Sequence, residues 1–331
     1  MQLKGSTKIG KKYQNPVPTE MAGFNRMLPI LWEYITNHAE NTPKKTLGPF
    51  TTNASIYQTP PANGLRVTWI GHSSLLIEID GKRILTDPVW SNRVSFSQRI
   101  GPKRFFAPPL KLSDLPNLDA ILISHDHYDH FDEATIQQLA LKNIPVYCSL
   151  GIGTYLRQWG FADHLITEMD WGDTAQIGTD CTITTTPARH FSGRSLSNRN
   201  ETLWSSFVIK GNQHNIFFGA DSGWFDGFQD IGEAYGPFDL TMLEVGAYGK
   251  YWADIHMGPF NAANAHTALK GNVMMPIHWG TFNLAPHDWF EPIEKLIEYA
   301  ALKHISLFIP KPGDPTEVGH DVNSEWWKAY R

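Results

Sequence analysis

The residues able to do chemistry are concentrated in one short stretch. ISHDHYDHFD, Ile123 to Asp132, holds three histidines and three aspartates in ten residues, in a chain with 14 histidines. LDAILIS before it is apolar enough for a buried strand, and EATIQQLALK after it has helical spacing. The loop thus joins a strand end to a helix, where α/β proteins keep their sites. His125 and His127 alternate and can point the same way, while Asp129 and His130 follow where the chain turns into the helix. Imidazole nitrogens and carboxylate oxygens are good ligands for zinc, manganese and iron. One loop can serve two adjacent points in space but cannot complete two metal sites. The remaining ligands are expected at later strand ends: His190 after CTITTTPAR, Asp221 after NIFFGA and His278 after VMMPI.

Such a site needs sheets to position it. From Leu65 the runs LRVTWI, SSLLIEI and KRILTD read as strands, the last two joined by a DGK turn. Strands such as IPVYCS, SSFVIKG, DLTMLEVG and ISLFIP then alternate with helical stretches such as GTYLRQWG, FNAANAHTALK and FEPIEKLIEYAALK. The pattern predicts an α/β sandwich with helices outside packed sheets. Residues 61–331 are expected to form one catalytic domain, with residues 1–60 as an N-terminal extension. Within the extension, MAGFNRMLPILWEYI places Phe24, Met27, Leu28, Ile30, Leu31 and Tyr34 near helical spacing. This segment is expected to pack on the domain; the other reading is an apolar face turned to a membrane.

Composition narrows the classes of function. Of 331 residues, 41% are hydrophobic, enough for a large core. A net charge of -5 argues against a nucleic-acid partner, since phosphate binding needs a basic surface. Two cysteines, Cys148 and Cys181, do not make a disulfide framework, so a reducing, cytoplasmic location is expected. No apolar run reaches the length of about 18 residues that spans a bilayer. Peripheral contact with the inner membrane face is a further reading, resting on Lys4, Lys8, Lys11 and Lys12 and the apolar segment after them.

SHDHYDH matches the H-x-H-x-D-H motif of the metallo-β-lactamase fold hydrolases, and the later His, Asp and His come in that family's order. The strings LRVTWIGHSSLLIEIDGKRILTDPVW, FFGADSGW and MPIHWGTFNLA resemble the branch of N-acylphosphatidylethanolamine-hydrolysing phospholipases D. The resemblance implies a four-layer αββα sandwich and two divalent ions, zinc by family preference with manganese or iron open. It implies one ion on His125, His127 and His190, a second on Asp129, His130 and His278, and Asp221 bridging them. Asp87 in ILTDP would orient a ligand from beneath. His72 in WIGHSS would be a buried, hydrogen-bonded histidine. His256 in DIHMGP would face the substrate, as a proton donor or a phosphate contact. Lys103 and Arg104 either meet an anionic head group or form a solvated basic loop, and His266 is expected to be packing.

The implied reaction is hydrolysis of N-acylphosphatidylethanolamine to N-acylethanolamine and phosphatidic acid, by metal-bound hydroxide attacking phosphorus. Alternatives are a metal-dependent lactonase or a soluble phosphodiesterase of the same fold. A non-enzyme alternative is a metal or ligand sensor, against which the complete ligand set argues. A phospholipid or other phosphodiester is the expected partner, and homo-oligomerisation is implied by the resemblance alone.

Overall fold

A computed structural model describes residues 3–20, 27–195, 197–319 and 322–331. Phe24 and the Met27 side chain, both part of the helical pattern above, lie outside that description. The chain opens with a hairpin, β1 (Thr7–Ile9) and β2 (Lys12–Gln14), and a helix, α1 (Met27–Thr36). Then come β3 (Leu65–Gly71), β4 (Ser74–Ile79), β5 (Lys82–Thr86), β6 (Ala120–Ile123), α2 (Glu133–Ala140), β7 (Val146–Ser149), α3 (Gly153–Gln158) and β8 (Ile166–Met169). The second half runs β9 (Thr174–Ile177), β10 (Cys181–Thr186), β11 (Ser206–Lys210), β12 (Asn215–Phe218), α4 (Gly227–Tyr235), β13 (Phe238–Glu244), α5 (Gly258–Ala268) and β14 (Gly271–Ile277). It ends with α6 (Glu291–Lys303), β15 (Ser306–Ile309), β16 (Thr316–Glu317) and β17 (Val322–Asn323).

Among the described residues these strands form two large sheets, ordered β16-β3-β4-β5-β6-β7-β8 and β17-β15-β14-β13-β12-β11-β10-β9. Each sheet is antiparallel at one side and parallel at the other; helices supply the crossovers from β6 to β8 and from β12 to β15, and a long loop supplies that from β5 to β6. Leu75, Ile77, Ile84 and Leu122 point between the sheets, against Ile183, Phe207 and Ile209. Their neighbours Leu76, Leu85, Ile121 and Ile123 point the other way, under Ile136, Leu139, Ile152 and Leu156 of α2, α3 and their approaches. Both faces of these strands are buried, which is why they read as unbroken apolar runs rather than alternating ones. Phe228 and Ile231 of α4, and Ile293 and Leu296 of α6, belong to the same continuous core cluster and cover the outer face of the second sheet. The result is the expected αββα arrangement of four layers.

The extension is tied into this body more deeply than a boundary at residue 60 suggests. Leu47 and Phe50 belong to the main core, Phe50 meeting Phe106 edge-on at 5.0 Å. Tyr13 of β2 is buried with Trp171 and Trp204. Helix α1 departs from the packing expectation. Ile30 and Tyr34 are half-buried, but Leu28, Leu31, Trp32 and Ile35 are 77%, 56%, 67% and 65% exposed. Their spacing puts all four on one face. Among the described residues, no helix is long and apolar enough to cross a membrane.

Candidate metal centre

The polar residues that end buried strands meet at one rim of the sandwich. β6 delivers His125 and the loop behind it; β10, β12 and β14 deliver His190, Asp221 and His278. Three of the positions are sharp. Asp87, His72 and His278 have φ of 36°, 57° and 63°, left-handed backbone that costs a non-glycine residue energy and persists only where surrounding contacts hold it.

Among the described residues two groups of ligand atoms, each within 4.8 Å of one another, stand side by side, His125, His127, His190 and Asp221, and His72, Asp129, His130 and His278; a third, Asp221, Glu244, His256 and His278, shares one residue with each. In the first, His127 Nδ1 lies 2.9 Å from His125 Nε2 and 3.2 Å from His190 Nε2. The far nitrogens of those two rings are committed as donors. His190 Nδ1 donates to the Ile255 carbonyl at 2.9 Å. His125 Nδ1 donates to Ser124 Oγ at 2.9 Å, and that hydroxyl in turn donates to Asp87 Oδ2 at 2.6 Å. Their Nε2 lone pairs therefore converge on one point beside His127.

Asp221 stands between the groups. Its Oδ1 is 3.2 Å from His130 Nε2, and its Oδ2 is 3.1, 3.6 and 3.9 Å from Nε2 of His278, His190 and His125. In the second group Asp129 Oδ2 lies 3.4 Å from His278 Nε2 and 3.7 Å from His130 Nε2. His72 does form the expected buried hydrogen bond, Nε2 to Asp129 Oδ2 at 3.0 Å, but its ring also lies 3.8 Å from the His278 ring, tilted by 43°, inside the cluster itself.

The arrangement fits metal ions. His130 Nε2, His278 Nε2 and Asp221 Oδ1 are buried without a hydrogen-bond partner, a costly state for a polar atom that a cation would relieve. Burial, with its imidazole neighbours, holds His125 and His190 well below the ordinary histidine range, in the neutral form that ligation needs. Burial alone would also lower His130 and His278. Asp221 and Asp129 outweigh it, raising His130 well above its usual value and His278 to about 10. Burial likewise works to raise Asp129 and Asp221, but the imidazoles around them hold both well below the usual carboxylate range.

The layer beneath is explicit. Asp87 accepts from the Ser124 amide at 2.8 Å, the Ser124 hydroxyl and His130 Nδ1. Asn15, far away in sequence, clamps the His190 backbone, accepting from its amide at 2.9 Å and donating to its carbonyl at 2.7 Å. Glu244 ends β13 at the floor of the site. It accepts from His256 Nδ1 at 2.7 Å, Ser222 N at 3.1 Å and Met257 N at 3.2 Å. Neither Asn15 nor Glu244 is among the sequence-derived candidates, although Glu244 has the same signature as the others, a polar residue closing a buried run.

A cavity of about 330 Å³ opens over this cluster. His127, Asp129, Asp221, His256 and His278 line one side; Phe191, Ala247, Trp252, Ile255 and Leu284 supply an apolar wall. Lys103 is exposed, but Arg104 corrects the basic-loop expectation. It is buried, and its guanidinium donates to the carbonyls of Phe106, Val89 and Ile70 at 3.3, 3.1 and 3.2 Å. Those bonds occupy it inside the domain, away from any head group. His266 is buried packing, with Nδ1 2.8 Å from Thr241 Oγ1.

Histidine and aspartate side chains gathered at the strand ends of an αββα sandwich define a metal-dependent hydrolase. Residues 82–279 match the family model described as Beta-lactamase superfamily domain, and the chain belongs to that superfamily. It resembles an uncharacterized protein of Mycobacterium tuberculosis, 45% identical over 306 residues, spanning 90% of this chain and 80% of that one. It also resembles the N-acyl-phosphatidylethanolamine-hydrolyzing phospholipase D 1 of Caenorhabditis elegans, 35% identical over 275 residues, 78% of this chain and 77% of that one. Among solved structures, isothiocyanate hydrolase from Delia radicum gut bacteria shares the fold with a TM-score of 0.63, covering 77% of this chain and 99% of that one at 21% identity.

Proposed function

We propose that this metal-dependent hydrolase is a phosphodiesterase of the phospholipase D type. It would cleave N-acylphosphatidylethanolamine to N-acylethanolamine and phosphatidic acid. His125, His127 and His190 would hold one divalent ion; Asp129, His130 and His278 a second, with Asp221 shared and zinc the preferred metal. Two such ions lower the pKa of water and neutralise charge on a phosphoryl group in flight. The chain's own residues do the rest. Asp87 and Ser124 lock the His130 and His125 rings with Nε2 inward. As a P–O bond to water forms, the P–O bond to the N-acylethanolamine breaks and its oxygen needs a proton. His256, with Nδ1 committed to Glu244 and its ring lining the cavity, would deliver it.

The observation that carries the lipid reading is the relation of α1 to the cavity mouth. The exposed face of Leu28, Leu31, Trp32 and Ile35 forms a surface with Lys250 and Tyr251, and Trp252, next in the chain, lines the cavity. Lys250 pairs with Glu33 of α1 at 3.2 Å. An apolar helix face beside the entrance suits peripheral contact with a membrane that supplies the substrate. The likeness to the nematode phospholipase supports the same reading. Purified, metal-loaded protein given N-acylphosphatidylethanolamine in mixed micelles should release N-acylethanolamine. No release, together with good turnover of a lactone or a soluble phosphodiester, would sink the lipid reading.

A further inference from the structure

We propose that residues 13–20 brace the metal centre from outside, with Asn15 as the positioning residue, so that docking of this arm and binding of metal strengthen each other. The proposal rests on His190 being a metal ligand, as in the reading above. Asn15 holds both backbone groups of His190, which fixes the point from which the ring reaches the cluster. Arg189 extends the grip. Its guanidinium donates to the Pro18 carbonyl at 2.7 Å and to Thr19 Oγ1 at 3.1 Å, and pairs with Asp254 at 2.6 Å. The Glu20 amide donates to the same Asp254 carboxylate at 2.8 Å.

Asp254 stands just before His256 in the chain, and Ile255 between them offers the carbonyl that takes the His190 Nδ1 proton. The arm thus ties the loop that carries His190 to the loop that carries His256. The loop after Asp221 meets the same junction. There Gly223 donates its amide to the Arg189 carbonyl at 2.8 Å, and a Cβ on it would stand 1.8 Å from the Asp254 carbonyl oxygen. The arm also has a seat of its own. Tyr13 is buried with Trp171 and Trp204, its amide donates to the Asn200 carbonyl at 2.8 Å, and Val17 packs on the main core. An ion held by His190 keeps that residue in place, and His190 in place keeps the Asn15 bonds intact. Metal therefore favours the docked arm, and the docked arm favours metal, by the same factor.

Zinc affinity of the full chain, measured by competition with a chelator, tests this together with hydrogen exchange of peptides spanning residues 10–20. We expect Asn15→Ala to weaken zinc by about tenfold to a hundredfold, the range for groups that orient a metal ligand from behind. In the unaltered protein, stripping zinc should speed exchange at the Tyr13 and Glu20 amides, and this dependence should shrink in Asn15→Ala. A merely structural Asn15 would instead lower the unfolding temperature of the metal-free protein and leave zinc affinity as it was. Should the alanine variant fail to fold, Asn15→Asp is read in its place, since it keeps the acceptor for the His190 amide and loses the donor to the carbonyl. Exchange in the unaltered chain decides without any variant. Unchanged zinc affinity in the folded variant, or arm exchange indifferent to zinc, overturns the proposal. His190→Ala separates the brace from the ligand reading. Loss of zinc there with none in Asn15→Ala ends the brace alone, whereas full zinc affinity in His190→Ala ends the ligand assignment and the brace with it.

Discussion

Asp87 Oδ2 accepts a hydrogen bond from His130 Nδ1 at 2.7 Å, between two fully buried side chains. The bond fixes the His130 tautomer, so Nε2 is the nitrogen that faces Asp221 and Asp129. The same carboxylate reaches His125 through Ser124. One residue therefore orients imidazoles of both ligand groups.

Asp87→Asn replaces an obligate acceptor with an amide whose nitrogen cannot receive the His130 proton. Such partners of metal ligands are worth about 10–100-fold in metal affinity or activity. We expect bound metal, measured by elemental analysis after dialysis, to drop in the variant. Turnover should recover in part when metal is added in excess. Full metal content with unchanged turnover would mean that the bond is incidental.

The Glu244–His256 pair should behave as one unit. If His256 carries the proton to the leaving oxygen, His256→Asn should lower kcat by about 10²–10⁴-fold. Glu244→Gln should lower it too, by releasing the ring. The double variant should be no slower than the worse single one. Multiplying losses would show independent roles, and a leaving group of low pKa should rescue both single variants.

His266 gives a pH signature away from the metal centre. Burial depresses its pKa from 6.5 to about 4. The folded state thus resists a proton that the unfolded chain accepts. Stability is complete above pH 6.5 and declines as the pH falls to 4, by up to about 3 kcal/mol from this residue. Denaturant unfolding of His266→Gln should show a flatter decline across that window, by as much as one proton. An unchanged slope would place the acid sensitivity elsewhere.

Deleting residues 1–60 would not test the membrane reading, because Phe50 is core and Asn15 clamps His190. Substituting the exposed face of α1 does. Leu31→Glu with Trp32→Glu should lower sedimentation with phospholipid vesicles by about tenfold or more, since charge replaces the area that would enter the interface. Turnover of a soluble phosphodiester should stay the same. Equal sedimentation of both proteins would remove α1 from lipid contact.

Much of this site was legible in the chain because strand ends advertise themselves. A buried apolar run closed by histidine or aspartate pointed to His125, His190, Asp221 and His278, and the structure gathers all four. Glu244 closes such a run too, but its partner His256 sits in a loop whose course no periodicity reveals. Asn15 could not be found, since its contact with His190 crosses most of the sequence. Lys103 and Arg104 read alike as a basic pair. In an extended segment neighbouring side chains point to opposite sides, so one faces water and the other the carbonyls of the interior. For α1 the helical period was plain, but the pattern could not say which face meets the domain. The layers were the easier part, because strands apolar on both faces require cover on both.

Hydrolysis in ¹⁸O-water tests the central claim most directly, by showing which bond this metal centre breaks. With N-acylphosphatidylethanolamine as substrate, attack at phosphorus should place one ¹⁸O in the phosphate of the phosphatidic acid and none in the N-acylethanolamine, read by mass spectrometry of both products. Label in the N-acylethanolamine, or no phosphatidic acid from fully metal-loaded protein, would contradict it.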